Sequence, residues 1–361
     1  MDEVSGPFCK VEFSKTNINS PVQLKEFLLS QGWEPTQWTA PTKLNPNGSP
    51  QITEDSFHTI KGDMGKLLAE RAVLKHRLGM LFNINKEGEL KGWINTVRDD
   101  GRLEAGGIPQ GTPTGRYRHI GVVNVPKADE KIPYGPEFRG LFIPKPGYKF
   151  MGVDAAALEA RIEAHYCFTM RGGKEHAEAL LNGDIHQRTA DALGITRNHA
   201  KTVKYAVTYG ARPKKLSKTL DCSLKEAEAI YNGFWEANPA LAALYKAVER
   251  AYKSRGFLVG LDGRKLLIRE DHKLINTLFQ SGGSIVVKTA TAYLANSIKK
   301  LDAKQVMHFH DEMTIEFNQD IDEEIIKESA RQAFKKAGEF WKLNVVIEGE
   351  PKVGSSWAEI H

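Results

Sequence analysis

Met151-Gly152-Val153-Asp154-Ala155-Ala156-Ala157-Leu158-Glu159-Ala160-Arg161 begins a segment that closes with Arg197-Asn198-His199-Ala200-Lys201-Thr202-Val203-Lys204-Tyr205-Ala206-Val207-Thr208-Tyr209-Gly210. The first stretch reads as an apolar strand that runs out at a carboxylate, Asp154, and turns into a helix carrying Glu159. A lone aspartate after a strand is more often a turn or cap residue than a metal ligand, and only its company changes that reading. The second stretch steps Arg197, Lys201, Tyr205 and Tyr209 four residues apart, laying two cations and two phenols along one slowly drifting helix face. Thr196 suits the N-cap, so free N–H groups and the helix dipole favour anions at the end where Arg197 lies. Taken alone, the same helix is equally an amphipathic one with a solvated basic face opposite Ala200, Val203 and Val207. A third segment, His310-Asp311-Glu312, sits between Val306-Met307-His308-Phe309 and Met313-Thr314-Ile315-Glu316-Phe317, which alternate as the strands of a hairpin do. Two acids at a hairpin tip are ordinarily just a turn; beside Asp154 they make a carboxylate pair able to hold two divalent cations.

Composition narrows the class without naming it. The 361 residues, 41% of them apolar, suffice for two or three subdomains with a real core. Fifty Lys and Arg against 45 Asp and Glu leave a net charge of +5, which permits a nucleic-acid partner without demanding one. Cys9, Cys167 and Cys222 are isolated, with neither pairing nor zinc-ligand spacing, so a reducing compartment is expected. No apolar run reaches the roughly 18 residues a membrane span needs, and the polar start Met1-Asp2-Glu3 is no signal peptide, so the expected setting is cytoplasmic.

Along the chain, residues 9–13 read as a short strand and 20–32 as a helix with Ser20 at its N-cap and Pro21 in its first turn. Residues 61–81 repeat leucines at helical spacing. Residues 92–127 are glycine-rich and include Thr114-Gly115-Arg116 and Gly121-Val122-Val123-Asn124-Val125-Pro126; the segment alone is equally a plain loop. Between 166 and 256 the pattern is largely helical, with a loop Gly183-Asp184-Ile185-His186 just ahead of the cationic helix. Helices are expected over 224–238 and 240–254, then an Asp262-Gly263 hairpin, a helix over about 274–300 with Asn276 and Gln280 on one face, a helix over 323–341 and a last strand at 344–348.

Together, the Asp154 strand, the Arg197-to-Gly210 helix and the His310-Asp311-Glu312 hairpin resemble motifs A, B and C of the family A, DNA polymerase I-like, DNA polymerases, most closely the replicative enzymes of short-tailed bacteriophages. The resemblance covers nearly the whole chain, strongly from Thr114 onward. It implies an α+β, right-hand polymerase fold: a partial thumb at 1–90, an antiparallel-sheet palm at 91–165 and 257–361, and helical fingers at 166–256. It also implies two Mg²⁺ ions held by Asp154 and Asp311, with Glu312 accessory, and dNTPs and primer-template DNA as partners. By the same token Arg197, Lys201 and His186 would meet the triphosphate, with Lys201 the general acid toward departing pyrophosphate. Tyr205 would stack on the nucleotide sugar, and Glu159, paired with Tyr209 beside the templating base, would exclude a 2′-hydroxyl. Arg116, Asn124, Arg264, Asn276, Gln280 and His310 would face primer-template DNA, and the terminal His361 would lie near the active site.

The chain departs from the family pattern at Asp154-Ala155-Ala156, where Asp-x-Ser is usual, and at Ala160, where leucine is common. The reaction expected is template-directed addition of dNTPs to a primer 3′ end, without proofreading in this chain. Its rivals are a single-subunit RNA polymerase, against which Glu159 argues, and half of a split enzyme or a non-catalytic DNA-binding remnant. A truncated thumb would make DNA binding weak, steeply salt-dependent and poorly processive, and leaves room for a second polypeptide supplying thumb or exonuclease, or for a processivity factor.

Overall fold

The strand Tyr148–Ala155 lies inside a four-stranded antiparallel sheet, flanked by Gly349–Gly354 on one side and Glu312–Asn318 on the other, with Ala303–Phe309 outermost. This computed structural model describes residues 15–42, 45–52, 59–60 and 62–361. Phe150, Met151, Gly152 and Val153 are buried in succession, so this strand is covered on both faces, which a purely alternating pattern would not require. The helices Leu274–Ile298 and Glu323–Phe340 pack on one another and on the sheet. Leu294, Phe334 and Ala337 meet Met313, Ile315 and Phe317 in the main core. Trp357 and Ile360, in the C-terminal turn, are buried as well, and Ile360 lies directly over Gly152.

From Gly173–Leu181 to Pro239–Arg255 every regular element is a helix, as the sequence pattern requires. Several begin on side-chain caps that the sequence supplies. Asp184 accepts from the backbone of His186 and Gln187, Thr196 from His199, and Ser223 forms a capping box with Glu226. Pro239 opens the helix Pro239–Arg255 at its first turn, where a missing N–H costs nothing.

The expected strand at 344–348 is not one: these residues are irregular, and the edge strand is Gly349–Gly354. Ile347 is fully buried instead against Gly338 near the end of the preceding helix. Pro351 is tolerated because the strand is outermost, with its second flank unpaired. The 274 helix ends at Ile298, and a short helix, Gly135–Gly140, appears in the stretch after the glycine-rich segment.

Two compact units divide the chain, Met1–Leu103 and Glu104–His361. In the first, the helices Pro21–Ser30 and Asp63–Leu81 share a small core of Leu24, Leu28, Trp33, Ile60 and Leu68. Ser20 caps the former, as expected, but Leu67, Leu74 and Leu78 of the latter are exposed rather than packed. The strand expected at 9–13 lies outside the described residues. Among those described, no helix is long and apolar enough to cross a membrane, and Cys167 and Cys222 are free.

Candidate active site

A cleft of about 470 Å³ in the larger unit gathers Asp154, Glu159, His186, Arg197, Tyr205, Tyr209, Asn276 and Asp311, residues drawn from five separate stretches of chain. A groove of about 940 Å³ in the N-terminal unit, lined by Leu24, Leu68 and Arg71 among others, collects no carboxylate among the described residues.

Asp154 stands next to the end of its strand, opposite Glu350, where the chain turns through a left-handed Ala157 into the helix Leu158–Cys167. Its side chain opens to the cleft. Packing around the carboxylate, with the nearby charges of Glu312 and Asp311, pushes its pKa up to about 6. Asp311 occupies the two-residue tip between Ala303–Phe309 and Glu312–Asn318, with His310 in the left-handed conformation that so tight a reversal demands. An arginine nearly two hundred residues away holds it: Arg116 Nη2 donates to Asp311 Oδ2 at 2.7 Å. Glu312 turns inward. Its Oε1 accepts from Thr314 at 3.0 Å and from the Trp357 indole at 3.3 Å, and its Oε2 lies 2.5 Å from His361 Nε2.

The Thr114-Gly115-Arg116 turn is fastened to the long Leu274–Ile298 helix. Ser284 donates to the Gly115 carbonyl at 2.7 Å, Lys288 donates to the same oxygen, and Arg264 spans the Thr114 carbonyl at 3.2 Å and Ser281 at 3.1 Å. A Cβ at Gly115 would fall 2.4 Å from the Arg264 guanidinium, so this close approach needs glycine.

The helix Arg197–Thr208 starts on Thr196, whose Oγ1 accepts from His199 at 3.2 Å. Arg197 pairs with Asp184 at 2.6 Å. The His186 ring sits 6.1 Å from that of Tyr205, its buried Nδ1 without a protein partner, and burial together with Lys204 depresses its pKa. Tyr209 donates to both oxygens of Glu159, at 2.9 and 2.7 Å, and burial and that carboxylate push the phenol up to about 12. Gln280 reaches the same hydroxyl. Lys201 is exposed on this helix and does not line the cleft. Asn124, exposed in a left-handed turn, also stands outside it. His310 donates its backbone N–H to His119 Nε2 at 3.0 Å, and its ring meets those of His119 and Phe309.

Three supports escape the sequence reading. His119 braces the hairpin tip. Arg139, buried, donates to the Pro126 carbonyl at 2.8 Å and lies 4.6 Å over the Trp357 ring, beside Glu312; its six-residue helix is too short to show a period. Lys204 is nearly buried in the wall of the cleft, and here the sequence does carry a signal: it stands four residues after Ala200 and three before Val207, at the apolar side of its helix.

Comparison with known proteins identifies the family. The family model described as DNA polymerase family A matches residues 3–359. The DNA-directed DNA polymerases of Enterobacteria phage T3 and Escherichia phage T7 are each 27% identical across 98% of this chain and 54% of their own lengths. That of Escherichia phage Phieco32 is 29% identical across 96% of the chain and 67% of its own length. The chain thus spans about half the length of the T3 and T7 proteins. Among solved structures, the POL domain of Pol1 from M. smegmatis, in complex with DNA primer-template and dNTP, superposes with a TM-score of 0.75 at 20% identity, covering 95% of this chain and 61% of that one. The fold is therefore the α+β fold of a family A polymerase domain, and with the family model running almost from end to end, the chain belongs to DNA polymerase family A.

Proposed function

We propose that this chain adds dNTPs to the 3′ end of a primer under the direction of a template strand, through the cleft that Asp154 and Asp311 share with the helix Arg197–Thr208. The observation that carries the reading is that convergence: two carboxylates at a sheet end face a cationic, capped helix across one cavity.

The donor set fits divalent cations. Burial first, and then the nearby Glu312 and Asp311 carboxylates, make Asp154 hold its proton more tightly, and a cation beside the three acids would offset the part that their charges cause. Mg²⁺ is usually held by one or two carboxylates and by substrate phosphates, and Asp154 and Asp311 offer two carboxylates at one cleft. We assign Asp154 and Asp311 as the residues that would hold two Mg²⁺ ions, which when bound lower the pKa of the primer hydroxyl and offset charge on the triphosphate.

The protein's own side chains do the rest. Arg197 exchanges Asp184 for the β- and γ-phosphates, and His186 presents its unpartnered nitrogen beside them. The primer 3′-hydroxyl gives its proton to water, its oxygen bonds to the α-phosphorus, the bond to the bridging oxygen breaks, and Lys201, one turn beyond Arg197, gives a proton to the departing pyrophosphate. Tyr205 lies against the sugar, while Glu159, held by Tyr209, blocks a 2′-hydroxyl. Arg116, Arg264, Asn276, Gln280 and His310 form the duplex side, with Asn124 farther out. A host-cell cytoplasm is a fitting setting, and a second polypeptide or processivity factor a fitting partner.

The test is extension of a labelled primer-template at low salt with Mg²⁺ and dNTPs, beside Asp154→Ala and Asp311→Ala. Extension by the parent and by neither variant supports the assignment; extension by either variant refutes the carboxylate pair.

A further inference from the structure

In the wall of the cleft, which Glu163 and Lys204 both line, lies a buried group of charges that none of the roles above uses. Lys204, 7% exposed, donates from Nζ to Glu163 Oε1 at 3.1 Å, and His176, 3% exposed, places Nε2 2.9 Å from that same oxygen. The three residues belong to three helices: Arg197–Thr208, Leu158–Cys167 and Gly173–Leu181. Cohesion alone does not call for ions here, because well-packed neutral side chains of similar volume hold helices together as well as a buried ion pair does. What an ion pair adds is direction: one lysine nitrogen must meet one carboxylate oxygen, and slippage of either helix leaves a charge buried and alone.

The direction matters because of what else these helices carry. Glu159 and Glu163 are one turn apart on the helix that follows Asp154, and they take hold of Tyr209 and Lys204 respectively. The two contacts run antiparallel, 159 to 209 and 163 to 204, and so grip the second helix at two points along its length. Turning that helix about its own axis would break both. Lys204 also adjoins Tyr205 and lies on the same flank as Arg197, seven residues earlier.

We propose that Lys204 and Glu163, with His176 on the shared oxygen, are positioning residues that set the rotation of the Arg197–Thr208 helix, and through it the aim of Arg197, Lys201 and Tyr205 at the incoming nucleotide. This rests on the polymerase reading of the cleft. Lys204 and Glu163 line the cleft but are nearly closed to solvent and spend their charges on each other, so their loss falls on nucleotide capture more than on the chemical step.

The experiment compares the parent with K204M, with K204R, and with K204M/E163Q. In the double variant a neutral pair replaces the ions, and the amide oxygen that E163Q introduces still accepts from His176. Each protein is measured for dNTP KM and kcat, primer-template Kd, thermal midpoint, and amide hydrogen exchange across residues 197–208. For the double variant we expect a thermal midpoint and DNA Kd close to the parent's, a dNTP KM about tenfold higher, kcat changed less than threefold, and faster exchange in the helix. K204R, which keeps the ion pair, is expected to hold the parent KM. A double variant with parental KM and parental exchange would overturn the inference, since the pair would then be no more than a staple. Should K204M fail to fold, the double variant carries the comparison. A parent chain that extends no primer would refute the polymerase reading instead; hydrogen exchange would then still decide whether the pair orders this helix.

Discussion

Asp154 is an acid that the fold makes costly. Its pKa, near 6 against an ordinary 3.8, shows the folded chain favouring the protonated form. A raised carboxylate destabilises the folded state above its folded pKa, and the cost disappears as pH falls through about 6 toward 4. Asp154→Asn should therefore abolish extension while raising the thermal midpoint at pH 7.5 by roughly 1–2 °C, the gain shrinking below pH 6; scanning calorimetry across pH checks the sign. The Glu159–Tyr209 contact makes a second prediction. Tyr209→Phe removes a hydrogen bond worth about 1 kcal/mol and leaves Glu159 free to swing, so incorporation of ribonucleotides relative to deoxynucleotides should rise roughly fivefold, and more in Glu159→Ala. Single-nucleotide insertion kinetics with dATP and ATP measure this. At this scale the sequence is legible where chemistry is local: Asp154 ends an apolar strand and Asp311 tips an alternating hairpin. The attachment of Arg116 to Asp311 is not legible, because no periodicity links residues so far apart.

Elements follow the same division. The helices capped by Ser20 and Thr196 can be read directly, since each satisfies an N–H group in the turn it begins; Asp184, taken above with His186 for a loop, instead caps the helix Ile185–Leu193, and Ser223 caps another whose start the sequence reading left without a cap. Thr196→Ala should cost about 1 kcal/mol in urea unfolding and raise the dNTP KM more than the DNA Kd, because the fraying end bears Arg197. The sheet is harder to read. The final strand has a proline at its third position and no alternating pattern, and only its place at the edge makes it possible. Beside it, Gly152 leaves room for Ile360: a Cβ there would lie 2.9 Å from Ile360 Cδ1 and 3.2 Å from Glu312 Oε1. Gly152→Val should thus destabilise by about 1–3 kcal/mol in urea and disturb the Glu312 pocket, lowering extension even at temperatures where the variant is folded.

At the scale of the molecule, a net charge of +5 is too small to signal DNA, and the cleft itself is lined by Arg197 and Lys204 against five carboxylates. Binding that neutralises phosphates releases counterions, so the primer-template Kd should rise steeply between about 50 and 200 mM salt, with Arg116→Ala flattening the slope by roughly one unit. Fluorescence anisotropy over a salt series reads both. The order of strands is also beyond the sequence, which shows where strands are but not which neighbours they choose. That order has a consequence in time. The strand bearing Asp154 pairs with Glu312–Asn318 and Gly349–Gly354, and the residue opposite Asp154 is Glu350, nearly two hundred positions later. At about 5–20 residues per second, a ribosome needs on the order of 10–40 s to travel that distance. Throughout it the nascent strand waits with apolar side chains and bare edges of unpaired N–H and C=O groups, first both edges and then one, open to any passing strand. The strand of Asp154 is thus among the last parts of the sheet to be sheltered, and the yield of folded protein should depend on what guards the growing chain during that interval.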